Sequence, residues 1–371
     1  MKQVKETKDE QREGDHTNDF WLDQISFYEE RKSHIQTICS QIENDAVNGQ
    51  DGNTGNYCKL PDTNNISFCK VPKCGSTTWM QIFNILQYGI ESANTFLEAR
   101  RFDLHRNYTC KLHSIGSENK GIIISRDPYS RLYSAYVDKS FITFHTKVGQ
   151  KSVRNLNGNC TGMSSVDFET FQDFLDKILP TIEVDYDVNL HWKPIYKLCS
   201  PCTVDVFIHV KLEEMTRDMD FVFKKIGLSS ELQNTLRQVT RSKESSLSGI
   251  VATIFMKMEN KLCLQSEVVA DRIWNSFQIQ GYIDITSKFP KDEYLAILSS
   301  GQYISETDAF MKVVSNEMAK HSMSKTDSLK QRRAVLVSAY SQLRPDTIAR
   351  IQEVYKLDFV MFNYSMNPPS K

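Results

Sequence analysis

Two stretches of the chain combine a short apolar run with an amphipathic run that begins a few residues later. In the first stretch, residues 66–71 (ISFCKV) are β-branched, aromatic or small except for one lysine, which predicts a buried strand. Pro72 lacks a backbone donor and ends that strand. From residue 76 onward, apolar positions recur every three or four residues, which predicts a helix whose buried face carries Trp79, Ile82, Phe83 and Leu86.

The second stretch, GIIISRDPYSRLYSAYVDK, repeats this arrangement. Gly121 to Ser125 predicts another buried strand, so Arg126 lies at its carboxyl end. Asp127 is a typical N-cap and Pro128 a typical first helical residue, which predicts a helix directly after the strand. Strand-to-helix turns at the carboxyl edge of a sheet are where α/β proteins bind their ligands.

Weaker patterns organise the rest of the chain. We predict a helix from Phe168 to Leu179, a strand from Thr203 to Val210 and a helix from Glu213 to Ile226 that ends at Gly227. Residues 1–57 are polar and predict a stem-like segment with partial helix around 20–38, followed by one domain at 58–371. Patterned but motif-free segments predict a helical elaboration around 241–335.

Composition adds limits rather than a function. The 371 residues carry 40% hydrophobic and 25% charged side chains and a net charge of −1, as in an ordinary soluble protein. This balance provides no bulk attraction to nucleic acid, so an anionic partner needs a local basic patch. The chain contains no apolar run of about 18 residues and no signal-peptide core. We expect that a membrane anchor is either missing from this chain or not used.

The loop after the first strand carries chemistry suited to an anion. Lys73 supplies a cation, Gly75 permits close backbone approach, and residues 76–78 (STT) supply hydroxyls and amides where the helix begins. The nucleotide P-loop pattern, with its lysine after the glycines, is absent, which disfavours a kinase or NTPase. The alternative is a solvated lysine beside an ordinary turn, and Cys74 is interpreted as a space-filling thiol.

The second strand-to-helix turn suits a phosphate monoester. Arg126 offers a planar fork of donors, and Ser134 lies about two turns into the following helix, where its hydroxyl reaches the same anion. The alternative is that this arginine and Arg131 only pair with Asp127 and Asp138 on a helix face.

The nine cysteines favour an oxidising compartment. Cys199 and Cys202 form a lone C-x-x-C without a second pair, so neither a four-cysteine zinc site nor a thioredoxin-like motif is expected. We predict structural disulfides, either between these two or from each to other cysteines. Glycosylation sequons agree with a lumenal protein and lie at Asn65, Asn107, Asn159 and Asn363.

Both turns resemble the donor sites of a known enzyme family. The Lys-x-Gly-Ser-Thr-Thr order resembles the 5′-phosphosulfate loop of sulfotransferases that use 3′-phosphoadenosine-5′-phosphosulfate (PAPS), and RDPxxRLxSAY resembles their 3′-phosphate site. The HW…CSPC…strand…E block at Asp187–Met215 and the tail LRPDTIARIQEVYKLDFVMFNY are similar to Golgi carbohydrate sulfotransferases, the HNK-1 and chondroitin/dermatan 4-O group. The resemblance covers roughly Asn65–Val239 and Tyr340–Tyr364.

The resemblance implies an α/β fold with a P-loop-like parallel sheet flanked by helices, the PAPS-dependent sulfotransferase fold, with additional C-terminal helices. It implies PAPS as co-substrate without a metal and a Golgi lumenal or membrane location. It also implies a glycan acceptor, which is acidic if the basic cluster of Arg100, Arg101 and Arg106 binds it. The donor-binding residues it implies are Lys73, Cys74, Gly75, Ser76, Thr77, Thr78, Arg126 and Ser134. The implied reaction is transfer of the sulfuryl group to a sugar hydroxyl, with Lys73 also acting as a catalytic cation.

The general base stays open among three histidines, with His113 placed first, then His105 and His191, and with an aspartate or glutamate as the other choice. A neutral imidazole suits the removal of a hydroxyl proton near neutral pH. A basic cluster consists of Arg100, Arg101 and Arg106. One hypothesis is that this cluster binds a uronate, and the other is that it forms a solvated helix face. Rival functions are a non-catalytic glycan-binding protein on a degenerate sulfotransferase fold and a cytosolic small-molecule sulfotransferase.

Overall fold

The computed structural model describes residues 3–42, 56–61, 63, 65–99, 101–108, 110–143, 168–185, 187–241, 245–261, 265–300 and 304–370. Side chains at the helix positions 3–21, 101–102, 238–241, 245–246 and 257–261 are not described. Arg100 and Asn159, for which roles were predicted, lie outside the described residues, as do Cys160 and Cys263.

A four-stranded sheet forms the centre of the fold. Its strands, in spatial order, are β1 (Tyr57–Lys59), β2 (Ile66–Cys69), β3 (Lys120–Ser125) and β4 (Asp205–Lys211). The predicted parallel sheet is confirmed for β2, β3 and β4. Strand β1 pairs antiparallel to β2, because the short connection between them is long enough only for a hairpin.

Helices flank the sheet and extend beyond it. In chain order they are α1 (Gln3–Gln41), α2 (Ser76–Tyr88), α3 (Ala93–Glu98), α4 (Arg101–Arg106), α5 (Pro128–Tyr136), α6 (Phe171–Glu183), α7 (Ile195–Cys199), α8 (Met215–Lys225), α9 (Ser230–Arg241), α10 (Ser245–Lys261), α11 (Ser266–Ile279), α12 (Lys291–Leu298), α13 (Glu306–Lys320), α14 (Lys325–Ser341), α15 (Pro345–Val354) and α16 (Lys356–Met361). Single turns of tighter or wider helix lie at Ile90–Ser92, Val137–Phe141 and Leu212–Glu214.

Local signals explain where the predicted helices begin and end. Asp127 caps α5 by accepting the Ser130 N–H, as predicted. Helix α6 begins later than predicted, because Thr170 and Asp173 form a capping box before its first turn. Gly227 follows α8 with φ of 84°, the left-handed conformation expected at a helix end.

Among the described side chains, two hydrophobic clusters make up the interior. One surrounds the sheet and includes the inner faces of α2 and α8. The other packs α5 and α6 against the C-terminal helices, which confirms that additional helices follow the sheet-containing part. Tyr129 of α5 contacts Tyr340 edge-to-face at 5.0 Å and donates its hydroxyl to the Met366 carbonyl. Helix α5 is therefore held by the C-terminal cluster, while β3 leads into its first turn.

The second half of α1 docks on the edge strand β4. Tyr28 stacks on Phe221 of α8 at 4.2 Å, and Lys32 pairs with Asp205 at 2.7 Å. Whether residues 1–57 form a separate stem stays a prediction. None of the helices within the described ranges is both long and apolar enough to cross a bilayer.

Among the cysteines that the structure describes, three disulfides tie these parts together. They join Cys39 to Cys202, Cys58 to Cys110 and Cys69 to Cys199. Each cysteine of the C-x-x-C motif thus bonds to a distant partner, so the alternative of a bond within the motif is wrong. The motif anchors two elements, α1 through one sulfur and the end of β2 through the other.

Candidate active site

The loop between β2 and α2 has an unusual backbone. Lys73 has φ of 68° and Gly75 has φ of 73°, both left-handed. This conformation is uncommon for a lysine and is found at sites where the surroundings hold the chain under strain. At Gly75 the need for glycine is also steric, since a Cβ there would lie 3.1 Å from Leu212 Cδ1. The loop therefore lies tightly against the turn that follows β4, with the unbonded N–H groups of the α2 N-terminus beside it.

Arg126 joins the two predicted motifs. Its Nη1 donates to the Lys73 carbonyl oxygen at 2.9 Å. Burial lowers the pKa of the Arg126 guanidinium, and the carboxylate of Glu213 opposes this shift only in part. A cation held in such surroundings gains from a further anion nearby, because burial makes its charge costly. The same Glu213 accepts the Asp127 N–H at 3.0 Å, which steadies the turn into α5.

Arg131 has a supporting role that the sequence did not reveal. Its side chain is 1% exposed and donates to the carbonyls of Pro72, Leu190 and Lys193 at 3.2, 3.1 and 2.7 Å. It therefore binds backbone rather than a carboxylate on its own helix face. These bonds connect the loop between β2 and α2, called the anion loop below, to the turn that carries His191.

Lys73 pairs with a carboxylate from the far end of α5. Its Nζ lies 3.1 Å from Asp138 Oδ2, and the two side chains are 10% and 20% exposed. Asp138 belongs to the π-helical turn Val137–Phe141, a geometry that often marks functional sites. Sequence reasoning considered Asp138 only as an arginine partner. Asp138 lies one turn after Ser134, a predicted donor-binding residue. That spacing is the signal that would have placed Asp138 near the predicted donor site.

The remaining loop side chains lie around the start of α2. Cys74 is 1% exposed, and burial raises the pKa of its thiol to about 12, so it stays protonated and fills space. Ser76, Thr77 and Thr78 are half-buried in the first turn of α2. Ser134 is half-buried on α5.

The three candidate histidines occupy different surroundings. His105 Nε2 lies 3.2 Å from the Thr77 hydroxyl, beside the loop. His113 contacts the buried Ser67 of β2 at 3.4 Å, within the body of the sheet. His191 Nδ1 lies 2.7 Å from Asn189 within its own turn. The hydrogen bond of His105 is thus to a loop hydroxyl, that of His113 is to a strand residue, and that of His191 is to its own turn.

The C-terminal tail reaches the carboxyl ends of β3 and β4. The Tyr364 hydroxyl lies 3.0 Å from Ser125 Oγ and donates to Glu213 at 3.0 Å. Ser125 also contacts the buried His209 at 2.8 Å. Tyr364 and Glu213 are thus neighbours of the site that sequence reasoning did not name, although the tail motif was a signal for the tyrosine.

The basic cluster is described only in part. The side chain of Arg106 is exposed at the end of α4, whereas those of Arg100 and Arg101 lie outside the described side chains. The sequon asparagines Asn65, Asn107 and Asn363 are all exposed. Within the described ranges, no three histidine, cysteine or acidic side chains converge as a metal site would need.

Comparison with known proteins agrees with this arrangement. A family model described as "Sulfotransferase family" matches residues 57–269, more than half of the chain. The chain is 24% identical to carbohydrate sulfotransferase 11 of Rattus norvegicus over 221 residues, covering 55% of this chain and 62% of the relative. It is 24% identical to human carbohydrate sulfotransferase 9 over 234 residues (57% and 51%) and 25% identical to human carbohydrate sulfotransferase 8 over 255 residues (62% and 57%).

The chain thus spans between 51% and 62% of the length of these relatives. No solved structure matches it. The matched region contains the whole sheet, the loop with Lys73 and the turn with Arg126. A match of this extent, over the elements that build the site, shows that the chain belongs to the sulfotransferase family.

Proposed function

We propose that the protein is a carbohydrate sulfotransferase that transfers the sulfuryl group of PAPS to a glycan hydroxyl. The observation that carries the proposal is the hydrogen bond from Arg126 to the Lys73 carbonyl at 2.9 Å. It joins a loop suited to a phosphosulfate with a turn suited to a phosphate monoester. A donor that carries both groups on one nucleoside is the ligand class this pairing favours.

The loop residues fit the 5′ end of such a donor. The Lys73 ammonium would stabilise negative charge on the bridging oxygen, and α2 amides with the hydroxyls of residues 76–78 would bind the outer oxygens. A Cβ at Gly75 would lie 3.1 Å from Leu212 Cδ1, so a side chain at this position would have to push that neighbour aside. Arg126 and Ser134 would hold the 3′-phosphate and so distinguish PAPS from ATP.

In the reaction, the acceptor oxygen forms a bond to sulfur while the bond from sulfur to the phosphate oxygen breaks. The acceptor proton passes to a base, and 3′-phosphoadenosine-5′-phosphate (PAP) leaves. We propose His105 as that base, since it lies beside Thr77 at the loop whereas His113 contacts a buried strand residue. Positioning and charge stabilisation supply most of the rate, as in phosphoryl transfer.

The acceptor and the location rest on the relatives and on the disulfides. The relatives' names specify carbohydrates, which supports a glycan acceptor. Disulfides persist in oxidising compartments, and the exposed sequon asparagines agree with a lumenal surface. We propose a Golgi lumenal enzyme, with membrane association and an acidic acceptor as further parts of the proposal.

Donor binding is tested by isothermal titration of the folded protein with PAP, with ATP as the control. We expect micromolar affinity for PAP and no measurable heat with ATP. Arg126→Ala is expected to weaken PAP binding at least tenfold, because it removes the charge that recognises the 3′-phosphate. Lys111→Ala, an exposed lysine outside the site, is the matched control. Equal binding of PAP and ATP would refute the assignment.

Catalysis is tested by transfer of labelled sulfate from PAPS to a panel of desulfated glycans. Lys73→Ala is expected to lower kcat by about two orders of magnitude, the usual loss for one group that stabilises developing charge. His105→Ala is expected to do the same, while His113→Ala and His191→Ala are not. Glycan binding without turnover in the wild type would instead support the glycan-binding alternative.

A further inference from the structure

The ion pair between Lys73 and Asp138 lies at the centre of the proposed donor site. The two groups are 3.1 Å apart and mostly shielded from solvent, at 10% and 20% side-chain exposure. Solvent and salt screen such a pair less than an exposed one. The same ammonium is the group assigned to the donor's phosphosulfate, so carboxylate and phosphosulfate require the same cation.

We propose that Asp138 is a counter-ion that competes with the donor for Lys73. It holds the ammonium until the phosphosulfate takes its place, and it takes the ammonium back as PAP leaves. Asp138 thus acts through Lys73, lowers the affinity for the product and speeds its release. The proposal rests on the donor site assigned above and identifies a control on that site.

The surroundings of Lys73 allow this exchange without movement of the loop. Its backbone is held by Arg126, whose Nη1 binds the carbonyl, and by the left-handed conformation. The ammonium itself is carried on a flexible four-carbon chain with rotatable donors. A small rotation of the side chain therefore suffices to move the charge from one anion to another.

A second cation is in place to keep Asp138 paired during the exchange. Lys139 Nζ lies 3.5 Å from the same oxygen, Asp138 Oδ2, and its side chain is 35% exposed. When the Lys73 ammonium turns toward a donor, the carboxylate keeps this neighbour and is not left as an isolated partly buried charge. Leaving a buried charge without a partner is the main cost of breaking such a pair, so Lys139 makes the exchange reversible.

The test is a cycle of PAP titrations on the wild type, Asp138→Asn, Lys73→Gln and the double variant. Because Asn cannot compete for the ammonium, Asp138→Asn is expected to lower the Kd for PAP by about three- to tenfold. In the Lys73→Gln background the same change is expected to have little effect. Asp138→Glu keeps the charge and is expected to restore wild-type affinity, and thermal melts check that each variant is folded.

Several outcomes would overturn the proposal. Unchanged or weaker PAP binding by a folded Asp138→Asn variant would show that Asp138 orients the lysine rather than competing for it. The same tightening in the Lys73→Gln background would show a general effect of removing negative charge. If the wild type binds no PAP, both the proposed donor site and the competition are refuted. If the wild type binds PAP normally and Asp138→Asn leaves the Kd unchanged in both backgrounds, only the competition is refuted.

Kinetics supply a second readout that does not depend on Asp138→Asn being stable. Lys139→Gln removes one cation that pairs with Asp138, so the carboxylate competes more strongly for Lys73 and PAP binding is expected to weaken. That weakening is expected to vanish in the Lys73→Gln background. In a folded Asp138→Asn variant, KM for PAPS and kcat are expected to fall together, since slower product release lowers both.

Discussion

Arg131 donates three hydrogen bonds to backbone carbonyls from a side chain that is 1% exposed. The planar guanidinium suits this task because its donors point in fixed, diverging directions, which a single ammonium cannot reproduce. Sequence patterns marked Arg131 only as a charged position on a helix. Its burial followed from the packing of the loop and the turn at residues 189–193 around it.

We expect Arg131→Lys to destabilise the protein by about 2–4 kcal/mol, because buried carbonyls lose their donors and a buried charge loses partners. Urea unfolding monitored by fluorescence measures the change. Arg350→Lys is the matched control, since Arg350 binds Glu183 on the surface at 2.7 Å and an exposed pair contributes about 1 kcal/mol or less. Equal losses in the two variants would contradict the structural role of Arg131.

The chemical identity of the loop residues was predictable, and part of their geometry was not. Lysine, glycine and hydroxyl residues before an amphipathic helix indicate an anion loop from residue type alone. The left-handed backbone at Lys73 has no such signal, because lysine rarely adopts it. The contacts of Arg126 and the tight fit of the loop against Leu212 supply the surroundings that hold it.

At the level of elements, the loop and α2 act as one unit, and Gly75 is where they join. We expect Gly75→Ala to destabilise the protein by about 1–2 kcal/mol and to weaken PAP binding, because it adds both backbone strain and a contact with Leu212. Gly227→Ala is the control, since Gly227 has φ of 84° but no atom within 4 Å of an added Cβ. Gly227→Ala is expected to destabilise the protein through backbone strain only and to leave PAP affinity unchanged. If both variants lose PAP affinity equally, the loop does not depend on the fit at Gly75.

The buried His209 of β4 predicts that the stability of the protein depends on pH. His209 is buried against Ser125, and burial lowers the pKa of its imidazole well below 6.5, helped by the positive charges of Arg31 and Lys211 and by His34. Below pH 6.5, the His209 imidazole therefore binds a proton in the unfolded chain, whereas in the folded protein it does so only at a much lower pH. Stability attributable to His209 is present above pH 6.5 and is lost as the pH falls, by up to about 1.4 kcal/mol per pH unit.

We expect His209→Gln, which keeps a hydrogen-bonding group near Ser125, to show a shallower loss of stability between pH 6.5 and 5.5 than the wild type. Urea unfolding at several pH values measures the slope. Burial raises the pKa of Asp358 to about 6, which gives the opposite slope from about pH 6 down toward 3.8 in both proteins. The difference between the two proteins is therefore the informative quantity, and parallel curves would contradict the role of His209.

For the whole molecule, the disulfides connect parts of the chain that no local pattern relates. The bond from Cys39 to Cys202 spans 163 residues and fastens α1 to the segment before β4. The bond from Cys69 to Cys199 spans 130 residues and fastens the end of β2 to α7. Together they attach α1 and α7 to the sheet that carries the site.

We expect the double change Cys39→Ser and Cys202→Ser to lower the free energy of unfolding by about 2–4 kcal/mol, the usual effect of removing a native disulfide. Hydrogen exchange is expected to quicken over residues 22–41, because α1 loses its covalent attachment and keeps its noncovalent contacts with β4 and α8. PAP affinity is expected to stay unchanged, since the described side chains of α1 pack mainly on β4 and α8. Unaltered exchange in α1 would mean that its packing alone holds it in place.

By itself, the sequence determined the two strand-to-helix units, the cap at Asp127 and the chemistry of the anion loop. These features depend on interactions within a few residues, which periodicity and capping rules describe directly. The tertiary structure decided the bond from Arg126 to Lys73, the pairing of Lys73 with Asp138, the partners of the cysteines and the histidine that contacts the loop. Such contacts join residues far apart in the chain, so they are set by how strands and helices pack and not by any local pattern.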